Sequence, residues 1–323
     1  MRAAVLHTLG EPPSYTEHPD PRPGPGHSLV RVTASPVVPL DLLCASGTSY
    51  FGAPAIPYVP GVQGVGVIER SADLEAGSRV WFTTPAGMAP GDGGLGELVV
   101  VGADDVLAVT AAVGDAEVAS LGLSAVAAWM ALTWKARLRE GEHVLVLGGG
   151  GAVGQVAIGA ARLLGAGRVV AACRSEQAAT RAVAAGADTA VVTGHDAGSL
   201  TERLRETCAG PVDVVVDPVF GAVASAAMAL LADGGRHVNL GGAAGDDAVF
   251  SSALLRSRSV EILGYTNNAL SPEQRRTAFQ EICAHAADGH LSVAHEVHPL
   301  AEIERVWRLQ ASGQATARLA LRT

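Results

Sequence analysis

The sequence is poor in lysine, in clustered cysteine and in long apolar runs. Lys135 is the single lysine among 23 basic residues; the others are arginine. Acidic residues number 32, so the formal net charge is −9. With no Lys/Arg block to offset it, that balance argues against binding a nucleic-acid backbone. The four cysteines, Cys44, Cys173, Cys208 and Cys283, are scattered with no CxxC pair. Neither a disulfide framework nor a thiolate zinc site has the clustering it needs, and a reduced cytoplasm is the expected setting. No basic segment followed by an apolar one opens the chain, so no signal peptide is expected. Apolar stretches such as Val144–Leu147 fall far short of the roughly 20 residues that span a bilayer, and no membrane partner is expected.

What is present suits a globular protein. At roughly 150 residues per domain, a chain of 323 residues suggests two domains. A composition of 48% hydrophobic and 17% charged residues is too apolar for disorder and too mixed for a membrane protein. Residues 1–110 read as short β segments between turns. Leu29–Ala34 alternates apolar and polar, and Gly64–Glu69, Arg79–Phe82 and Leu98–Val101 follow at regular spacing, which suggests a barrel or sandwich. Asp115–Leu132 is Ala-rich with helical spacing. From His143 the pattern alternates: strand His143–Leu147, helix Ala152–Leu164, strand Arg168–Cys173, helix Ser175–Ala185, strand Asp213–Val216, helix Ala222–Leu231, then strands His237–Leu240 and Glu261–Gly264. That order implies a doubly wound parallel sheet.

The sharpest local signal is Val144-Leu145-Val146-Leu147-Gly148-Gly149-Gly150-Gly151-Ala152-Val153-Gly154. It contains G-x-G-x-x-G as Gly149, Gly151 and Gly154, directly after a strand and opening a helix. Such a turn lets the backbone approach a pyrophosphate, while the helix N-terminus, here Ala152 and Val153, offers unpaired N–H groups. A dinucleotide site is therefore expected. An NAD-binding unit places Asp or Glu at the end of the next strand, on the ribose 2′-hydroxyl. Here that place holds Cys173-Arg174-Ser175. With no carboxylate to repel a 2′-phosphate, a guanidinium to pair with it and a serine to donate to it, NADPH is favoured. Pro218 and Val219 after one strand, and Gly241 and Gly242 after another, are candidate cofactor neighbours, because ligands lie outside the carboxyl ends of such strands.

These segments, with Met1–His7, Val37–Asp41, Pro57–Glu69, Gly77–Val80, Gly94–Val99, Gly234–Gly242 and Ile262–Tyr265, resemble the medium-chain dehydrogenase/reductase superfamily over nearly the whole chain. The similarity is greatest to its zinc-independent quinone oxidoreductase branch, which includes enoyl reductases. The resemblance implies a GroES-like β-barrel domain and a Rossmann domain with the active site in the cleft between them. The expected boundaries are 1–122, 123–265 and a return at 266–323. It also implies a homodimer through the Glu261–Gly264 edge. Where zinc relatives carry a ligand cysteine this chain has Val38, and where they carry Gly-His-Glu it has Gly61-Val62-Gln63, so no metal is expected.

Other departures bear on the pocket. The Asn that many quinone oxidoreductases hold at the Val38 place is absent. A common Thr is Ala127 and a common Tyr is Leu43. The replaced polar groups point to a small-molecule substrate that is bulky and apolar or aromatic. Tyr50, in a loop resembling the family's active-site lip, is the candidate proton donor, with an aromatic lip as the alternative. Asp41 is a second catalytic candidate, with a structural cap favoured. Tyr265 and Asn267 follow a strand beside the implied cofactor, and Arg318 lies where relatives carry a cation. The expected function is NADPH-dependent hydride transfer to a quinone or conjugated enone. The alternatives are an enoyl-thioester or polyketide-tailoring reductase, and an NADPH-binding protein without turnover.

Overall fold

Alternation of inward apolar and outward polar side chains from His27 to Pro36 makes the longest strand of the chain, and the first of two units is built around it. The computed structural model describes residues 1–194 and 199–323. The first unit comprises Met1–Gly122 and Val293–Thr323, the second Leu123–Ser292. The return to the first unit thus comes at Val293 and not at 266, because the capped helix after residue 270 packs with the second unit.

In chain order the first unit holds β1 (Arg2–Val5), β2 (Ser14–Glu17), β3 (His27–Pro36), the short helix α1 (Pro39–Ala45), β4 (Gln63–Arg70), β5 (Arg79–Thr83), β6 (Leu98–Gly102) and β7 (Val106–Ala108). Helix α2 (Asp115–Met130) crosses the boundary at Gly122, where the helical backbone breaks at φ 31° and ψ −131°. A Cβ there would stand 2.0 Å from Gln63 Oε1, so the kink needs glycine. The apolar stretch Asp115–Ala136 is long enough to cross a membrane by length and composition alone, but most of it is buried within the protein.

The second unit continues with β8 (His143–Leu147), α3 (Ala152–Leu163), β9 (Arg168–Cys173), α4 (Glu176–Ala184), β10 (Thr189–Val192), α5 (Leu200–Cys208), β11 (Val212–Asp217), α6 (Gly221–Met228), β12 (Leu231–Asn239), α7 (Ser252–Arg258), β13 (Glu261–Gly264) and α8 (Pro272–Ala287). The chain then returns as β14 (His295–Pro299), α9 (Ile303–Ala311) and β15 (Arg318–Arg322).

The first unit's main sheet runs β14-β15-β3-β4-β5-β7, with β6 also on β3. It is antiparallel except for the β14–β15 pair. Val30, Val32, Ile68, Val80 and Phe82 fill one core; β1, Tyr58, Leu95, Ile303 and Trp307 fill another. The second unit's sheet is parallel, in the order β10-β9-β8-β11-β12-β13. Its central strands are buried on both faces, as a doubly wound sheet requires. The order reverses between β8 and β11, which opens a crevice at their carboxyl ends. β10 and β13 are the two edge strands of this sheet, and Ile262 on β13 is 44% exposed.

Candidate functional site

The crevice is framed by four turns that hydrogen bonds and close contacts bring together. Gly148–Gly151 follows β8, and a Cβ on Gly148 would lie 2.8 Å from Val219 Cγ1 in the turn after β11. A Cβ on Gly241, after β12, would lie 3.1 Å from Pro218 O. Asn239 Nδ2 donates to Gly241 O at 3.0 Å, Leu240 N–H to Asp217 O at 2.8 Å, and Tyr265 N–H to Asn239 O at 2.9 Å. Arg174 and Ser175 stand exposed after β9, the strand next to β8.

The glycines of the turn have different reasons to be glycine. Gly148 has φ +64°. Cβ atoms on Gly149, Gly150 and Gly154 would meet Ala171 Cβ at 2.6 Å, Ala178 O at 2.4 Å and Gly148 O at 2.3 Å. Those three are fixed by the packing of strand, turn and helices. Gly151 is unlike them. Its φ of −80° and ψ of 170° suit any residue, and a Cβ would meet only Gly148 O, at 3.3 Å. It is exposed, and it caps α3 without a side chain. The amides of Ala152 and Val153, half-buried at the first turn of that helix, make no backbone hydrogen bond to the preceding turn among the described residues. An open surface beside unpaired donors at a helix N-terminus fits a diphosphate.

Side chains pin this turn from below. Gly150 O accepts from Gln155 Nε2 at 3.1 Å and from Arg181 Nε at 3.0 Å. Arg181 escaped the sequence reading, because an arginine inside an Ala-rich helix carries no motif. Ser175 caps α4, its oxygen accepting from Ala178 N–H at 3.3 Å. The hydroxyl hydrogen remains available to donate.

The turn after β11 is held by Asp217, fully buried, whose Oδ1 accepts from the amides of Val219 and Phe220 at 3.0 and 2.7 Å. Phe220 adopts φ 55° and ψ −150°, a conformation that costs a residue with a side chain roughly 1–3 kcal/mol.

Asn267 does not present its amide to a cofactor. Its Nδ2 donates to Leu123 O at 3.1 Å, and its Oδ1 accepts from the Tyr265 hydroxyl at 2.6 Å. Burial pushes the Tyr265 phenol well above its ordinary range, so it remains a neutral donor. Both residues brace the turn after β13, and Tyr265 adjoins the crevice through its backbone.

In the first unit, Asp41 is 2% exposed. Its carboxyl accepts from Val38 N–H at 2.8 Å and Val62 N–H at 2.9 Å, and from the Gly61 amide. Burial pushes it up to about 6, against the pull of these amides and of Arg318. Arg318 is itself buried, which lowers it to about 10, and its Nη1 donates to Val37 O at 3.4 Å. Asp41 is therefore the cap of α1, and Arg318 is an inward-facing counter-charge. Neither the catalytic role for Asp41 nor the cofactor contact for Arg318 suits such placement.

Asp41→Ala orphans buried amides and is expected to cost about 2 kcal/mol in denaturant unfolding at pH 7. The folded carboxyl lies above its ordinary value, so its contribution is largest at low pH and is lost as pH rises through about 6. The gap between parent and variant should widen from pH 7 to pH 5. A gap that narrows would mean that the amides outweigh burial and that this carboxyl is not raised.

Val38 and Val62 are buried, and Gln63 Oε1 accepts from Trp81 Nε1 at 3.2 Å. Hydrocarbon side chains offer no lone pair, so the donor set at this place does not fit zinc. Among the described residues no group of three His, Cys, Asp or Glu is arranged to hold a metal. Tyr50 is 81% exposed, its ring 4.2 Å from that of Phe51. A phenol so surrounded by water lacks the preorganised, dry setting that makes a strong donor, and the aromatic lip is the better description.

Two family models match the chain. The alcohol dehydrogenase GroES-like domain matches residues 24–111, and the zinc-binding dehydrogenase domain matches residues 152–284. A phenolphthiocerol/phthiocerol polyketide synthase polypeptide of Mycobacterium tuberculosis is 30% identical over 312 residues; the match covers 93% of this chain and 14% of that protein. The chain thus spans about a seventh of that relative's length. The quinone oxidoreductase of Thermus thermophilus, solved also in complex with NADPH, is 29% identical with a TM-score of 0.81 over 100% of both chains. An NAD-dependent alcohol dehydrogenase is 26% identical with a TM-score of 0.87, again over 100% of both.

Proposed function

The chain belongs to the medium-chain dehydrogenase/reductase superfamily, a family of oxidoreductases, and from that premise we propose that it is a zinc-independent, NADPH-dependent reductase of a quinone or conjugated enone. Because similar proteins include both an NADPH complex and an NAD-dependent enzyme, the cofactor is argued from this chain's own residues. The observation that carries the reading is Gly151: its backbone suits any residue, it is exposed, and a Cβ would meet one atom, Gly148 O at 3.3 Å, against the clashes under 3 Å at Gly149, Gly150 and Gly154. The amides of Ala152 and Val153 would hold the diphosphate, and Arg174 and Ser175 the 2′-phosphate. Pro218, Val219, Gly241 and Gly242 would bring bare backbone alongside the nicotinamide end.

NADPH supplies a hydride when bound. The protein's part is to position the acceptor and exclude water. A quinone or enone is electrophilic enough to accept hydride with a proton from solvent, whereas a simple ketone needs a stronger electrophile. Val38 and Leu43, at places where relatives carry polar groups, suit an apolar or aromatic substrate body. Tyr50→Phe is accordingly expected to change kcat less than threefold, since solvent provides the proton. A tenfold fall in kcat at constant KM would reinstate the phenol as donor.

A second reading is supported by the polyketide synthase similarity: an enoyl thioester would offer the same conjugated acceptor. NADPH oxidation followed with a quinone, an enone, an enoyl thioester and a simple ketone tests both. Turnover of a conjugated acceptor but not the ketone is expected; a ketone preference would overturn the proposal. The exposed β13 edge supports a homodimer. Light scattering should give twice the chain mass, and a monomer would refute the pairing.

A further inference from the structure

His237 lies in β12 between Arg236 and Val238, and its imidazole is fully buried. Its Nε2 lies 2.7 Å from Asp217 Oδ2, also fully buried. Its Nδ1 is buried with no hydrogen-bonding partner among the described residues. A ring that leaves one nitrogen bare in the core loses stability there, which the bond made by its other nitrogen offsets. That bond secures a carboxylate whose second oxygen holds the Val219 and Phe220 amides. Phe220 sits in the glycine-only region of backbone space. Phe250 closes the arrangement, its ring 6.0 Å from Phe220 and 5.9 Å from His237. Val219, the middle of the held turn, abuts Gly148 of the glycine turn.

We propose that His237 is a positioning residue of the cofactor crevice: through Asp217 it holds the Pro218–Phe220 turn in a conformation that phenylalanine does not adopt unaided. The functional part rests on the reading of this crevice as the cofactor site. Without the imidazole, Asp217 Oδ2 is a buried oxygen with no donor. The carboxylate rotates to recover one and releases the two amides. Phe220 then relaxes to negative φ, and Val219 moves against the glycine turn.

Three variants test this. His237→Leu removes the donor. His237→Gln keeps an amide N–H near the place of Nε2. In His237→Leu/Phe220→Gly, the glycine adopts the turn without strain and needs no holding. Amide hydrogen exchange in the unliganded protein should speed at least tenfold at Val219 and Phe220 in His237→Leu, with the rest of the sheet unchanged, and return toward parental rates in His237→Gln. NADPH affinity should fall about tenfold in His237→Leu and recover to within threefold in the other two. Exchange at the two amides that is unchanged, or that speeds uniformly across the sheet, would overturn the proposal. If His237→Leu fails to fold, rescue of folding by Phe220→Gly supports it and failure of both variants refutes it. Should the parent bind no NADPH, the cofactor reading falls, while the exchange rates still decide the role of His237.

Discussion

Gly151→Val is expected to weaken NADPH binding about 1,000-fold, roughly 4 kcal/mol, while stability changes by about 1 kcal/mol or less. The reason lies in what a side chain would meet. At φ −80° and ψ 170° valine's backbone is unstrained, and its Cβ would make one tight contact, with Gly148 O at 3.3 Å. The space a side chain would fill is the space a diphosphate needs against the Ala152 and Val153 amides. Gly154→Ala is the contrasting variant. Its Cβ would lie 2.3 Å from Gly148 O and 2.6 Å from Gly149 Cα, so it should lower the melting temperature as well as cofactor affinity. Fluorescence titration with NADPH alongside thermal unfolding separates the two. If Gly151→Val bound NADPH like the parent, no diphosphate would lie over this turn.

Arg174→Glu should reduce NADPH affinity about 100-fold and leave NADH affinity level or slightly improved. A guanidinium on a phosphate contributes charge-assisted hydrogen bonds of roughly 1.5–3 kcal/mol. A carboxylate there repels the 2′-phosphate and can accept from a 2′-hydroxyl. Because Arg174 is exposed after β9, the substitution should leave the fold intact. The ratio of the two dissociation constants is the readout. An equal loss for both cofactors would mean that Arg174 serves the turn and not the phosphate.

Periodicity made the doubly wound sheet legible, since each strand–helix pair switches from continuous apolar runs to 3.6-residue spacing. It made β10 and α5 illegible, because β10 is half-buried along its length and the amphipathic face of α5 lies among charged residues. Helix α1 was hidden by its shortness and its opening proline. The glycine motif stood out in sequence, but not the division of labour within it. Only packing distances separate Gly151 from Gly149, Gly150 and Gly154. Asp41 was a catalytic candidate with the structural cap favoured and Arg318 a ligand-facing candidate, both through resemblance, and both side chains are buried. Phe220 and His237 carried no motif, and beside Arg236 and Asn239 the histidine was no irregularity in its strand.

Calorimetric titration of the unmodified protein with NADPH and NADH tests the central claim most directly. The account predicts one NADPH per chain in the micromolar range, with NADH at least tenfold weaker. Heat from neither nucleotide, or equal affinity for both, would contradict it.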